Sequence, residues 1–172
     1  MLFLTIGTLF GFDRLVKAVD LAIAQGQIQE EVFAQIGPGE YRPKHMKHTE
    51  VLGKDAFEDV ISRSTGLISH AGIGSINAAL KYHKPMVVLP RLKRFGEHVN
   101  DHQLYTARKF ESLGCVLVAY EELELPVRCR ELATFKPIQR VANSQGIIRH
   151  LQAFLRNIDQ PPAFKASIQA TK

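Results

Sequence analysis

A chain of 172 residues with 45% hydrophobic and 23% charged residues has the composition of one globular domain, and it is too short for two α/β lobes. Its net charge of +5 is modest and scattered, which suits an anionic small molecule or surface and argues against nucleic acid as a partner. No apolar run approaches the roughly 20 residues that cross a bilayer, residues 1–6 are too short and lack the basic start of a signal peptide, and Cys115 and Cys129 have no paired spacing. The expected setting is therefore a reducing cytoplasm, without a disulfide framework.

Residues 2–6 read as a first strand buried on both faces, followed by the loop Gly7-Thr8-Leu9-Phe10-Gly11. Asp13 is placed as the N-cap of a helix that carries Leu15, Val19, Ala22 and Ile23 on one face and ends near Gly26. Residues 31–37 read as a second strand. Pro38, Gly39 and Pro43 then mark a long surface loop, with Lys44, His45, Lys47 and His48 as a solvated face. A short strand is expected over residues 49–52 and a helix over 55–63, with Phe57, Val60 and Ile61 inward.

The stretch Leu67-Ile68-Ser69-His70-Ala71-Gly72-Ile73-Gly74-Ser75 is the centre of the pattern. It reads as a buried strand and a tight turn; a helix to His83, a Pro85 exit and the apolar strand 86–89 follow, making a βαβ unit with parallel strands. Gly72 and Gly74 allow close approach at the carboxyl end of a strand, where open α/β sheets bind ligands. The helix start points free N–H groups and a positive end at that place, so phosphate is the natural guest. His70 and Ser75 are positioned to add side-chain donors. A tight turn that binds nothing is the competing reading, because neither the full dinucleotide fingerprint nor the Walker lysine is present.

Residues 91–100 form a polar loop at a strand's carboxyl end, a usual place for function. Arg91, Lys93 and Arg94 fit phosphate or a sugar carboxylate, or else solvent. His98 and His102 stand four apart, but the helix starts only near Asp101 and no third ligand is evident. No Asp-x-Asp pair closes a strand, so no metal site is expected. Glu97 and His98 are candidates for proton transfer. Asp101 and Gln103 begin the next helix, the former as a cap on the plainer reading. A strand over 115–119, short helical pieces at 121–125 and 128–132 around Pro126, an amphipathic helix over 141–158 and a tail from 159 to 172 complete one domain, residues 1–158.

Three separated segments now acquire a common meaning. Ile68-Ser69-His70-Ala71-Gly72-Ile73-Gly74-Ser75, Lys84-Pro85-Met86-Val87-Val88-Leu89-Pro90 and Asn100-Asp101-His102-Gln103 resemble, in that order, the C-terminal, donor-binding half of family 28 glycosyltransferases. Within that family the chain looks like the small subunit of two-part enzymes, and Arg94-Phe95-Gly96-Glu97-His98 is similar to the bacterial exopolysaccharide glucuronosyltransferase branch. The resemblance runs from Ile6 to about Gly114.

It implies a single Rossmann-like three-layer α/β sandwich with a mostly parallel sheet, the C-terminal half of a two-lobed (GT-B) glycosyltransferase. It implies a UDP-sugar as donor substrate, no cofactor, a lipid-linked acceptor and a membrane-anchored acceptor-binding subunit that recruits the chain to the inner face of the membrane. Gly7, Thr8, His70, Gly72, Gly74 and Ser75 would face the donor's diphosphate, and Asp101 and Gln103 its sugar. Family members carry a ribose-binding glutamate where this chain has Ala78, so Asn77 beside it is the substitute candidate. His70 would stabilise charge on the departing UDP, and the base would come from the acceptor-binding half, so Glu97 and His98 stand as proton-transfer candidates on their residues alone. A non-catalytic nucleotide-sugar-binding regulatory module is the alternative.

Overall fold

Strands that read as apolar on both faces need a helix layer above and below them, and the chain supplies both. The computed structural model describes residues 1–138 and, beyond them, only Arg149, Gln152 and Leu155, each helical. The fold below is that of the unit Met1–Gln139; of the helix expected over 141–158 only Arg149, Gln152 and Leu155 are described, and the tail expected after it lies outside the described residues. Six parallel strands, β1 (Leu2–Thr5), β2 (Val32–Gln35), β3 (Lys47–Thr49), β4 (Gly66–His70), β5 (Met86–Leu89) and β6 (Leu117–Val118), stand in the order β3-β2-β1-β4-β5-β6.

Alternation along the strands sorts the core into two layers. Leu2, Leu4, Ile6, Ile68 and Val87 pack against α1 (Asp13–Ala24) and α5 (Leu125–Glu131). Phe3, Leu67, Met86 and Val88 pack on the opposite face against α2 (Lys54–Arg63), α3 (Ile73–Lys81) and α4 (His102–Ser112). The three-layer α/β sandwich expected from the sequence is therefore the fold. No helix of the described residues is long and apolar enough to cross a membrane.

Four local expectations need correction. Asp13 is the first helical residue of α1 and not its cap; Phe12 takes the cap position and makes no side-chain cap bond. Phe12 is 1% exposed, so burial of its ring fixes where the helix enters, and Asp13 instead accepts from the Glu40 N–H at 3.1 Å. The third strand lies at 47–49, not 49–52, in register with Phe33, Ala34 and Gln35. Its exposed polar residues are what a sheet edge tolerates, and they hide it from an apolar pattern. The last strand contracts to β6, although Ala119 still donates to the Val88 carbonyl at 2.9 Å. Finally, α5 runs back through Pro126, which its first turn accommodates because no intrahelical N–H is needed there.

The loop from Gly37 to Met46 is anchored from within. Asp20 of α1 is 1% exposed and accepts from Tyr41 Oη at 2.8 Å, from the N–H groups of Lys44 and His45 at 3.1 and 2.7 Å, and faces His45 Nδ1 at 3.3 Å. Burial alone pushes its carboxyl up, but the bonds from His45, Tyr41 and Lys44 outweigh it and hold the group below the usual carboxylate range. Because the folded value is depressed, this stabilisation is present above the unfolded carboxylate value and lost as pH falls through the folded one. Asp20→Ala removes the buried acceptor of these part-buried donors and is expected to cost about 1–3 kcal/mol at pH 7. Urea denaturation at pH 7 and again near pH 3 should show the gap between wild type and variant closing in acid; a pH-independent gap would refute the assignment.

A cationic cleft at the carboxyl ends of the strands

In this strand order the connections from β1 and β4 leave toward opposite faces, so the sheet opens between them at its carboxyl edge. A cleft of about 500 Å³ occupies that opening. The loop after β1 contributes Gly7, Thr8, Leu9 and Phe10; the turn after β4 contributes His70, Gly74 and Ser75. Arg91 and His98 come from the loop after β5, Gln103 from α4, and Leu52, Lys54 and Phe57 from the start of α2. Its lining includes Lys54 and Arg91 and no carboxylate, so it carries a positive potential and favours an anionic guest.

His70, the last residue of β4, lies across the seam between the two glycine loops. A Cβ at Gly72 would stand 2.4 Å from His70 Nε2, and one at Gly7 would stand 3.5 Å from Cε1. Gly72 is thus required by the imidazole itself, and it lies off the lining. Gly7 also has φ +78, a conformation that glycine adopts at little cost. Gly74, by contrast, has nothing within 4 Å of its missing Cβ and opens directly on the cleft. The first-turn N–H groups of α3 therefore remain free to meet a ligand.

Burial holds His70 neutral, pushing its imidazole down to about 3, with the charge of Arg91 and the proximity of His98 adding to the effect. Ser69 Oγ donates to the Thr5 carbonyl, so in the free cleft it accepts from His70 Nδ1–H at 3.1 Å. Ser75 Oγ stands 3.5 Å from the same nitrogen. Burial, His102 and Arg91 likewise hold the His98 imidazole below its usual range.

Gln103 is 3% exposed, and its Oε1 accepts from the Arg91 N–H at 3.2 Å. Gln35, at the end of β2, braces three segments: Nε2 donates to the Gly7 carbonyl at 3.3 Å and Oε1 accepts from the Leu52 N–H at 3.1 Å. A buried glutamine closing an apolar strand was the available signal for it, and sequence reasoning passed it by.

The cleft thus gathers Gly7, Thr8, His70, Gly74, Ser75 and Gln103 and leaves out Asn77, Asp101 and Glu97. Asn77 is exposed on α3. Asp101 Oδ1 accepts from the Lys93 N–H at 2.7 Å on the outer side of the loop. Glu97 lies off the lining with both its oxygens bound, Oε1 by Arg14 Nε at 2.6 Å and Oε2 by Arg14 Nη2 and the Leu92 N–H, each at 2.9 Å. With 12% and 10% of the two side chains exposed, the pair is a largely enclosed clasp between α1 and the β5–α4 loop.

Two glycine variants separate these roles. Gly72→Ala should displace the His70 ring and raise its pKa toward the ordinary imidazole range, whereas Gly74→Ala should leave it near 3. Titration of the His70 ring resonances checks this; equal behaviour of the two variants would contradict the packing described.

Comparison with known proteins places this geometry. Residues 1–146 match the model of the glycosyltransferase family 28 C-terminal domain. The chain is 27% identical over 144 residues to a UDP-N-acetylglucosamine--N-acetylmuramyl-(pentapeptide) pyrophosphoryl-undecaprenol N-acetylglucosamine transferase of Aquifex aeolicus (strain VF5), covering 84% of this chain and 36% of that protein. It is 31% identical over 122 residues to the human UDP-N-acetylglucosamine transferase subunit ALG13, covering 65% of this chain and 10% of that protein. The chain therefore spans about a third of the first relative's length and a tenth of the second's. A solution structure of ALG13 superimposes with a TM-score of 0.59 at 23% identity, over 87% of this chain and 94% of that one.

Proposed function

The chain belongs to the glycosyltransferase family 28 C-terminal domain family, and from that premise we propose that it is the donor-binding subunit of a two-part glycosyltransferase, holding a UDP-sugar while a separate chain presents the acceptor. The observation that carries this reading is the cleft at the β1/β4 opening, lined by cations and free of carboxylates. The name of the human relative, a transferase subunit, supports the division into two chains. The proposed donor is UDP-glucuronate and the proposed acceptor a lipid-linked sugar in exopolysaccharide assembly, with a membrane-anchored partner at the inner face. These finer terms rest on the likeness of Arg94-Phe95-Gly96-Glu97-His98 to that branch.

In this reading the diphosphate sits against the first turn of α3, near Gly74 and Ser75, where N–H groups and the helix end stabilise the charge that grows as the sugar leaves. An anion there favours the arrangement in which Ser75 donates to His70 Nδ1 and Nε2–H points at phosphate oxygen. Gly7 and Thr8 line the facing wall, and Gln103 offers its amide nitrogen to the sugar. Asp101 and Asn77 take no part in the contact, and Glu97 acts only through the loop it clasps. Inverting transfer needs a base for the acceptor hydroxyl, and the partner supplies it.

The full chain alone should bind UDP weakly and turn over no donor; adding the partner should restore transfer. Gly74→Val puts its Cβ over the helix end where no protein atom lies within 4 Å, so the variant should fold and lose UDP affinity at least tenfold, about 1.4 kcal/mol. Calorimetric titration with UDP and a radiolabelled transfer assay check both points. Full turnover by the single chain would overturn the two-part reading, and unchanged UDP binding by Gly74→Val would overturn the site.

A further inference from the structure

Arg91, Lys93 and Arg94 are neighbours in sequence but not in setting. Lys93 and Arg94 are exposed, whereas Arg91 is 2% exposed and lines the cleft. Its Nη2 donates to the Ile6 and Phe10 carbonyls at 2.9 and 2.8 Å, and its guanidinium lies over the Phe12 ring at 4.9 Å. Nε is enclosed with no partner, and among the described residues nothing accepts from Nη1. The nearest acid in the loop, Glu97, is committed to Arg14 and Leu92. A buried guanidinium therefore stands at the cleft bonded to neutral acceptors only, and Glu97, clasped by Arg14, acts on it without touching it.

Burying a cation costs desolvation free energy that two carbonyls and one ring do not offset fully. Two carbonyls ask for N–H donors and not for a formal charge, so bracing alone does not account for a charge at this place. What the charge adds is a positive field on a lining that holds no carboxylate, and it acts on His70 and His98. The natural counter-ion is the ligand.

We propose that Arg91 is a donor-binding residue, its guanidinium supplying the charge that meets an anionic group of the nucleotide-sugar. The proposal rests on the donor-site reading above. Two groups of a UDP-sugar have the required chemistry, the diphosphate and, in a uronate, the sugar carboxylate. Arg91 adjoins both regions, since its charge reaches His70 and its backbone N–H is held by Gln103. Arginine suits either, because its planar fork matches both oxyanions.

The test is titration of the full chain with uridine, UDP, UDP-glucose and UDP-glucuronate, in wild type, Arg91→Lys and Arg91→Gln. Arg91→Gln removes the charge, and because its amide nitrogen reaches only as far as Nε it also gives up the loop bonds of Nη2, an effect that uridine reads out separately. The expected result is at least a tenfold loss for the anionic ligands, no change for uridine, and a smaller loss in Arg91→Lys. A loss shared by UDP, UDP-glucose and UDP-glucuronate assigns the contact to the diphosphate; a loss confined to UDP-glucuronate assigns it to the carboxylate. An equal loss for uridine, or no loss for any ligand, overturns the proposal and leaves Arg91 a brace. Wild-type protein that binds none of the four overturns the donor-site reading itself. Should Arg91→Gln fail to fold, the Arg91 Nε–H resonance of wild type can be followed during UDP titration. It should shift with saturation, and a fixed resonance while the Gly74 and Ser75 amides move would refute the contact.

Discussion

Everything described depends on a topological constraint, the point in a parallel sheet where the chain's winding reverses. β1 sends its connection through α1 on one face, and β4 sends its own through α3 on the other. Two adjacent strands whose exits diverge cannot cover their own carboxyl ends, and the gap is the cleft. The residues that close those strands, with the loops after them, become its walls. Their identities then decide what the opening accepts.

The two arginines beside Phe12 divide the structural and the chemical tasks. Arg14 and Arg91 stack on the same ring, at 5.2 and 4.9 Å from its centroid. Arg14 is neutralised by Glu97 and fastens α1 to the β5–α4 loop; breaking such a largely enclosed pair from one side commonly costs about 3–5 kcal/mol. Arg91 has no such partner and turns toward the cleft. One cation holds the wall in place, and the other leaves its charge for a guest. His70, kept neutral by burial between Gly7 and Gly72, adds a polar ring to the cleft without adding a charge.

Much of the fold was legible in sequence because the central strands are apolar on both faces, a pattern that demands helices above and below. The edge strand β3 was misplaced because Lys47, His48 and Thr49 carry no apolar face for a pattern to catch. The helix turn after β4 was readable from Gly72, Gly74 and Ser75, since short-range spacing determines it. What Gly72 makes room for was not: the imaginary side chain meets His70, two residues earlier in the chain but folded back across the turn. Glu97 and Asp101 sit beside recognisable motif residues, yet adjacency in a loop does not say which side of it faces the cleft. Arg91 could not be told from Lys93 and Arg94, because what buries it are carbonyls 85 and 81 residues away.

The central claim is that the β1/β4 opening is an anion site for an activated sugar, and a crystal structure of the chain soaked with UDP tests it most directly. The account predicts diphosphate oxygens within hydrogen-bond distance of the Gly74 and Ser75 N–H groups, with His70 Nε2 turned toward them. A nucleotide bound elsewhere on the fold, with the cleft at Gly74 left open, would contradict it.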